Sequence, residues 1–193
     1  SDTASFNVDS GPSIILNKTT NKFTTFEFLA KANTGCTTLD NVTVANSSSL
    51  ILQPLKLIGN LNVTAAGDIT SSGTIEVNGA TTFNATANAG SNTSNSGNVL
   101  LGKTTVVGNL NVTAGTTSGI TQNDTLTSNG LDVSGTASFN VDSGRSIILD
   151  NTTNKFTTVE FLAKANTGGT TLDNVTVANS SSLILQQLKL IGN

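Results

Sequence analysis

The chain contains itself. Residues 4–60 and 137–193 are two copies of one 57-residue text set 133 positions apart and identical at 51 of them. The copies differ at Pro12/Arg145, Asn17/Asp150, Lys18/Asn151, Phe26/Val159, Cys36/Gly169 and Pro54/Gln187. A repeat this regular constrains architecture before it constrains chemistry, because a repeated unit buries its apolar face against the next copy. A pair of closed domains would need a linker at a fixed phase. No Pro-rich, charged or Gly/Ser stretch takes that place. Leu57-Ile58-Gly59-Asn60 runs directly into Leu61-Asn62-Val63-Thr64.

Shorter echoes lie inside the long period. Gly59-Asn60-Leu61-Asn62-Val63-Thr64-Ala65 returns as Gly108-Asn109-Leu110-Asn111-Val112-Thr113-Ala114, 49 residues on. Ile75-Glu76-Val77-Asn78-Gly79-Ala80-Thr81-Thr82-Phe83 is echoed 56 residues on by Leu131-Asp132-Val133-Ser134-Gly135-Thr136-Ala137-Ser138-Phe139. The unequal spacings mean that loops of variable length separate related small units.

The local pattern is β. Val42-Thr43-Val44, Leu61-Asn62-Val63, Ile75-Glu76-Val77 and Leu131-Asp132-Val133 alternate apolar with polar, as half-buried strands do. Ser13-Ile14-Ile15-Leu16 and Asn98-Val99-Leu100-Leu101 are apolar runs of strand length. Turn-forming clusters separate them at Val8-Asp9-Ser10-Gly11, Ala66-Gly67-Asp68, Ser71-Ser72-Gly73 and Ala89-Gly90-Ser91-Asn92. Phe26 to Ala32 is too short for a helix standing alone, and the alternation in Thr24-Thr25-Phe26-Glu27-Phe28 ahead of it reads as strand. The expectation is one continuous β-solenoid over residues 1–193, with each coil touching only its neighbours. Coils of about 20 to 25 residues give roughly eight or nine of them, stacked into a rod of roughly 40 Å at ~4.8 Å per strand layer. Asn, Thr and Ser then stack as hydrogen-bonded ladders at the turns, and the eight Phe belong to the core.

Composition removes several function classes. His, Met, Trp and Tyr are absent, and charged residues make up only 11%. Without Met the chain is expected to be a processed product or a window from a longer one. A net charge of −3 with no basic patch argues against a nucleic-acid partner. No apolar stretch approaches the roughly 18 residues of a membrane span. Cys36 has no internal disulfide partner, and its counterpart is Gly169, so it reads as a small packed residue.

Catalysis finds no constellation. The commonest general base and metal ligand is missing. The 12 carboxylates, from Asp2 to Asp173, are scattered, whereas glycosidases need a carboxylate pair at a set separation. Asp9-Ser10-Gly11 and Asp142-Ser143-Gly144 read as turn caps rather than calcium loops, since no calcium-loop spacing surrounds them. A flat ice-binding array needs Thr-X-Thr on successive coils, and only Thr125-Leu126-Thr127 has it. Pairs such as Thr24-Thr25, Thr37-Thr38 and Thr104-Thr105 put one Thr on each face. Asn-X-Ser/Thr sequons occur at Asn17, Asn41, Asn46, Asn62, Asn84, Asn92, Asn111, Asn123, Asn151, Asn174 and Asn179, many of them from composition alone. No catalytic, cofactor-binding or metal residue is assigned, and no cofactor is expected.

The phrase Gly59 to Ala65, continued by Ala66-Gly67-Asp68-Ile69-Thr70-Ser71-Ser72-Gly73 and Thr74-Ile75-Glu76-Val77-Asn78-Gly79, resembles the repeats of filamentous-haemagglutinin-like bacterial surface adhesins. Many of these are exported by two-partner secretion. The stretch Gly108 to Gly135 matches more loosely. The family's N-terminal secretion module is not recognisable in this sequence. The resemblance implies a right-handed parallel β-helix, a secreted or cell-surface location on a bacterium, and a role as shaft or adhesive filament. Its partners would be neighbouring coils, copies of itself end to end, and a host or cell-surface receptor or glycan. The alternatives carried beside it are a purely structural filament or sheath and, at a distance, a β-helical polysaccharide-active enzyme.

Overall fold

A computed structural model describes residues 3–9, 11–31, 38–86, 97–115, 118–123, 130–164, 170–186 and 188–193. Among them there are strands and turns but no helix. The strands in chain order are β1 (Thr3–Asp9), β2 (Ile14–Leu16), β3 (Thr25–Lys31), β4 (Val42–Asn46), β5 (Leu50–Leu52), β6 (Leu55–Leu57), β7 (Leu61–Ala65), β8 (Ile69–Ser71), β9 (Ile75–Val77), β10 (Thr81–Asn84), β11 (Val99–Leu101), β12 (Thr104–Val106), β13 (Leu110–Thr113), β14 (Ile120–Gln122), β15 (Leu131–Asp142), β16 (Ile147–Leu149), β17 (Lys155–Lys164), β18 (Val175–Val177) and β19 (Ile184–Leu185). The alternating segments read from the sequence fall in β4, β7, β9 and β15, and Phe26 to Ala30 lies in β3.

All pairings among the described residues are parallel, each to the strand one turn away, which makes the molecule a parallel β-solenoid. The first face is an 8-stranded sheet in the order β1-β3-β5-β8-β11-β14-β16-β18. The second face runs β2-β4-β7-β10-β13 and on through the later parts of β15 and β17 to β19. Between the two runs a side strip of β6, β9 and β12, continued by the first residues of β15 and β17. The long strand β15 joins strip and second face into one sheet: Leu131 to Val133 pair with β12, and Ala137 to Asn140 pair with β13.

Period-2 alternation sets what goes inside. In β7, Leu61, Val63 and Ala65 are buried while Asn62 is exposed. Across the rungs the inward side chains form columns. Val44, Val63, Phe83, Val112, Phe139 and Phe161 lie one above another on the second face. Leu50, Ile69, Val99, Ile120 and Ile147 do so on the first. These join in one apolar core, where each large side chain contributes about 1.5–3 kcal/mol by leaving water. The phenylalanines stack as expected of core residues: the Phe139 and Phe161 ring centroids are 5.8 Å apart at 24°, and those of Phe26 and Phe28 are 5.4 Å apart at 14°.

The two copies of the text keep their pairings and change faces. Ala4↔Phe26, Thr25↔Ile51 and Ile14↔Val42 in the first copy match Ala137↔Val159, Thr158↔Ile184 and Ile147↔Val175 in the second. The Ser5–Glu27 hydrogen bond (2.7 Å) returns as Ser138–Glu160 (2.9 Å). Yet β1, β3 and β5 belong to the first face, and their counterparts in β15, β17 and β19 belong to the second. β2 and β4 lie on the second face, and β16 and β18 on the first. The 133-residue period therefore spans a non-integral number of turns.

The recurrent Gly-Asn step has a steric origin. At the corner entering β7, β10 and β13, Gly79 donates its N–H to Gly59 O (2.9 Å) and Gly108 donates to Gly79 O (3.1 Å). A Cβ on Gly79 would stand 2.5 Å from Gly59 O, and one on Gly108 would stand 2.6 Å from Gly79 O. Stacked corners this close exclude a side chain.

Of the inward hydroxyls that interrupt the apolar columns, Thr104 donates to Gly102 O (3.1 Å), but Thr81 does not find a partner. Thr81 sits between Leu61 and Leu110, is fully buried, and its hydroxyl has no hydrogen-bond partner. An orphaned buried hydroxyl costs roughly 1–3 kcal/mol, and Val has the same shape without that group. Thr81→Val is therefore expected to stabilise the fold by about 1 kcal/mol or more, read as a raised urea midpoint at unchanged m-value.

Candidate functional site

The outward columns are this molecule's candidate functional surfaces, and the three differ in chemistry. On the side strip the column reads Lys56, Glu76, Thr105, Asp132, Lys155. Lys56 Nζ lies 2.9 Å from Glu76 Oε2, and Lys155 Nζ lies 3.8 Å from Asp132 Oδ2. These side chains are about half exposed, so water and salt screen the pairs, and each contributes at most about 1 kcal/mol. A shallow cleft of about 360 Å³ opens along Lys103, Thr105, Gly130, Asp132, Thr153 and Lys155.

The second face is an uncharged polar grid over most of its length. One column reads Thr43, Asn62, Thr82, Asn111, Ser138 and ends in Glu160. The column beside it reads Thr64, Asn84, Thr113, Asn140 and ends in Leu162. The side chains of Asn62, Thr82 and Asn111 make no hydrogen bond to another described residue, so their donors and acceptors face water. The first face carries a column in which aliphatic and hydroxyl residues alternate from rung to rung: Ile51, Thr70, Leu100, Thr121, Ile148, Thr176.

Other asparagines are consumed by the fold. Asn41 Oδ1 accepts the Asn60 N–H (2.8 Å), Asn60 Oδ1 accepts the Ala80 N–H (2.8 Å), and Asn109 Oδ1 accepts the Thr136 N–H (3.0 Å). These are the turn ladders expected from the sequence. Asn46 and its counterpart Asn179 bond the backbone of Phe23 and Phe156 through both ends of the amide. Asn154 is fully buried. Its Oδ1 accepts from Gln122 Nε2 (2.8 Å) and Leu131 N (2.9 Å), and its Nδ2 donates to Leu149 O and Ala178 O (3.1 Å each). Nothing in the sequence marks this internal amide network except the recurrence of Asn21 as Asn154. Asn21 likewise donates to Leu16 O and Ala45 O (3.1 Å each).

This partition sorts the sequons. Asn62 and Asn111 present free, exposed amides, and Asn17 is exposed. Asn46 and Asn123 are buried, and the amides of Asn41, Asn174 and Asn179 are engaged. Asn92 lies outside the described residues, as do Cys36, Asp2, Asp124 and Thr125 to Thr127. The calcium-loop candidate at Asp142 is turned inward: Asp142 is buried, and its Oδ1 lies 3.1 Å from Lys164 Nζ, which also donates to Ala114 O (2.7 Å). Gly11 and Gly144 turn the following corner at φ of 99° and 75°. Thr104 points inward and Thr105 outward, as their adjacency requires. Among the described residues no three of His, Cys, Asp or Glu gather around a metal-sized site.

The fold and its outward ladders define a repeat protein of the parallel β-solenoid class. The family described as repeats of unknown function (DUF5649) matches residues 39–91 and 88–163, and the chain belongs to that family. Neither the curated proteins nor the solved structures yield a match to the chain.

The two kinds of asparagine behave differently on truncation. Asn154→Ala removes the buried acceptor of the Leu131 N–H and of Gln122 Nε2, together with the donor to Leu149 O and Ala178 O, and is expected to cost about 2 kcal/mol or more. Asn111→Ala removes an unpartnered surface amide and is expected to stay within about 0.5 kcal/mol of the parent. Urea denaturation of both variants checks the contrast.

Proposed function

We propose that this chain is a non-catalytic structural rod segment of a large secreted or cell-surface adhesin-like filament of a bacterium. The observation that carries the reading is the preservation of every pairing when the 57-residue text moves from one face to the other. An array whose unit packs equally well on either face gains length by adding coils at nearly constant energy per coil. The adhesive half rests on the resemblance of Gly59 to Gly79 to filamentous-haemagglutinin-like repeats, with the uncharged grid of Asn62, Thr82 and Asn111 as the surface on which a receptor or glycan would be held by hydrogen bonds.

A purely structural filament or sheath is the second reading, favoured by the identity of the two copies at their outward strand positions, the exposed differences at Pro12, Asn17, Lys18 and Pro54 falling between strands. Electron microscopy of this chain beside a variant with one more 133-residue period separates both from a globular enzyme. The longer variant is expected to be longer along one axis by roughly 25 Å, at ~4.8 Å per rung, and unchanged in width. Equal growth in all dimensions would sink the rod. Binding of rod-coated beads to glycan arrays or cells, with loss on Asn62→Lys/Asn111→Lys, distinguishes adhesin from sheath.

A further inference from the structure

The outward side chains of the second face form a checkerboard. β7 presents Asn62 then Thr64, and β10 above it presents Thr82 then Asn84. β13 presents Asn111 then Thr113, and β15 presents Ser138 then Asn140. Within these four rungs each amide adjoins only hydroxyls, and each hydroxyl only amides. The pattern has ends. Ala45 stands under Thr64, and Glu160 and Leu162 stand over Ser138 and Asn140.

The alternation keeps these groups open. Where asparagine stands on asparagine the amides bond one another, as Asn60 Nδ2 does to Asn41 Oδ1 (3.2 Å) at the corner. In the checkerboard no asparagine stands on another. The side chains of Asn62, Thr64, Thr82, Asn111, Thr113 and Asn140 make no hydrogen bond to another described residue. Asn84 commits only its Oδ1, to Thr86, and Ser138 donates its hydroxyl to Glu160.

Symmetry and charge narrow the ligand. One step up the rod exchanges amide for hydroxyl in both columns, so the pattern has the form of a twofold screw along the rod. An extended β-1,4-linked glycan has the same form. Each of its sugars is turned over relative to the last and advances it by close to one rung, ~4.8 Å. Laid across the rod instead, it would meet outward side chains roughly 7 Å apart. The checkerboard carries no charge, whereas the side strip carries both signs, and an uncharged face matches an uncharged ligand. It also lacks the Trp, Tyr or Arg anchors that hold a protein partner.

We propose that this checkerboard binds a neutral β-1,4-linked glycan lying along the rod, one sugar per rung, through hydrogen bonds to the groups on the edges of the sugar rings. The inference rests on the adhesin reading and names the ligand class of that same face.

The test titrates the full chain with cello- and chito-oligosaccharides, from disaccharide to hexasaccharide, by NMR. Saturable shifts of the Asn62, Asn84 and Asn111 side-chain amides are expected with one series or both, and the stronger series names the sugar. Affinity should rise up to the tetrasaccharide, which fills the four rungs, and stay level beyond it. It should not change with salt, since no charge takes part. Maltohexaose, whose α-1,4 links curl the chain, should bind about tenfold more weakly. Thr82→Val and Asn111→Ala break no bond within the fold, and each should weaken tetrasaccharide binding about threefold or more. Thr121→Val on the first face should leave it unchanged. Equal binding of maltohexaose, shifts confined to the side strip, or no binding by either series overturns the proposal. Cell or array binding that is still lost on Asn62→Lys/Asn111→Lys would then leave the adhesin reading standing, and its absence would sink both.

Discussion

Each strand in this molecule lies parallel to the strand one turn away and in register with it, so every residue has its equivalent about 4.8 Å above and below. That single spacing governs everything else. A side chain is admissible only if it tolerates a similar one directly on top of it. Aliphatic groups and phenyl rings satisfy this inside, where columns such as Val63, Phe83, Val112 and Phe139 bury one another. At the Gly59, Gly79 and Gly108 corner, stacked backbones leave no room for a Cβ. Charges satisfy the rule outside only by alternating in sign, as Lys56 and Glu76 do.

Much of this was legible in the residues because a solenoid writes its period into them. The repeat fixed the array, and alternation in Val42-Thr43-Val44 or Leu61-Asn62-Val63 gave the inward set correctly. Strands such as β6, β8, β12 and β14 were missed. Leu55-Lys56-Leu57 alternates as clearly as Ile75-Glu76-Val77 but runs on from the apolar Leu50-Ile51-Leu52, and Ser71, grouped with a turn, closes β8. The exchange of faces between copies was also invisible. It depends on how many residues each corner consumes, a property of loops rather than of periodicity. Likewise one letter, Asn, stands for an exposed amide at Asn111 and a fully buried one at Asn154, and only the rung above and below tells them apart.

Asparagine is thus the residue that both builds and decorates this rod. Where it stands at a corner or beneath a strand start, its amide closes the hydrogen bonds that a turn leaves open. Where it stands mid-strand and outward, nothing inside the molecule needs it. The separation is clean enough that the surface chemistry of the second face can be altered without touching the amides that hold the coils together.

The change of face between the two copies has a consequence for contact with anything flat. A residue of the 57-residue text that meets such a surface in one copy is turned away from it in the next. A plane laid along the rod would meet only alternate copies, and a partner engaging every copy would have to sit on both sides or wind around the shaft.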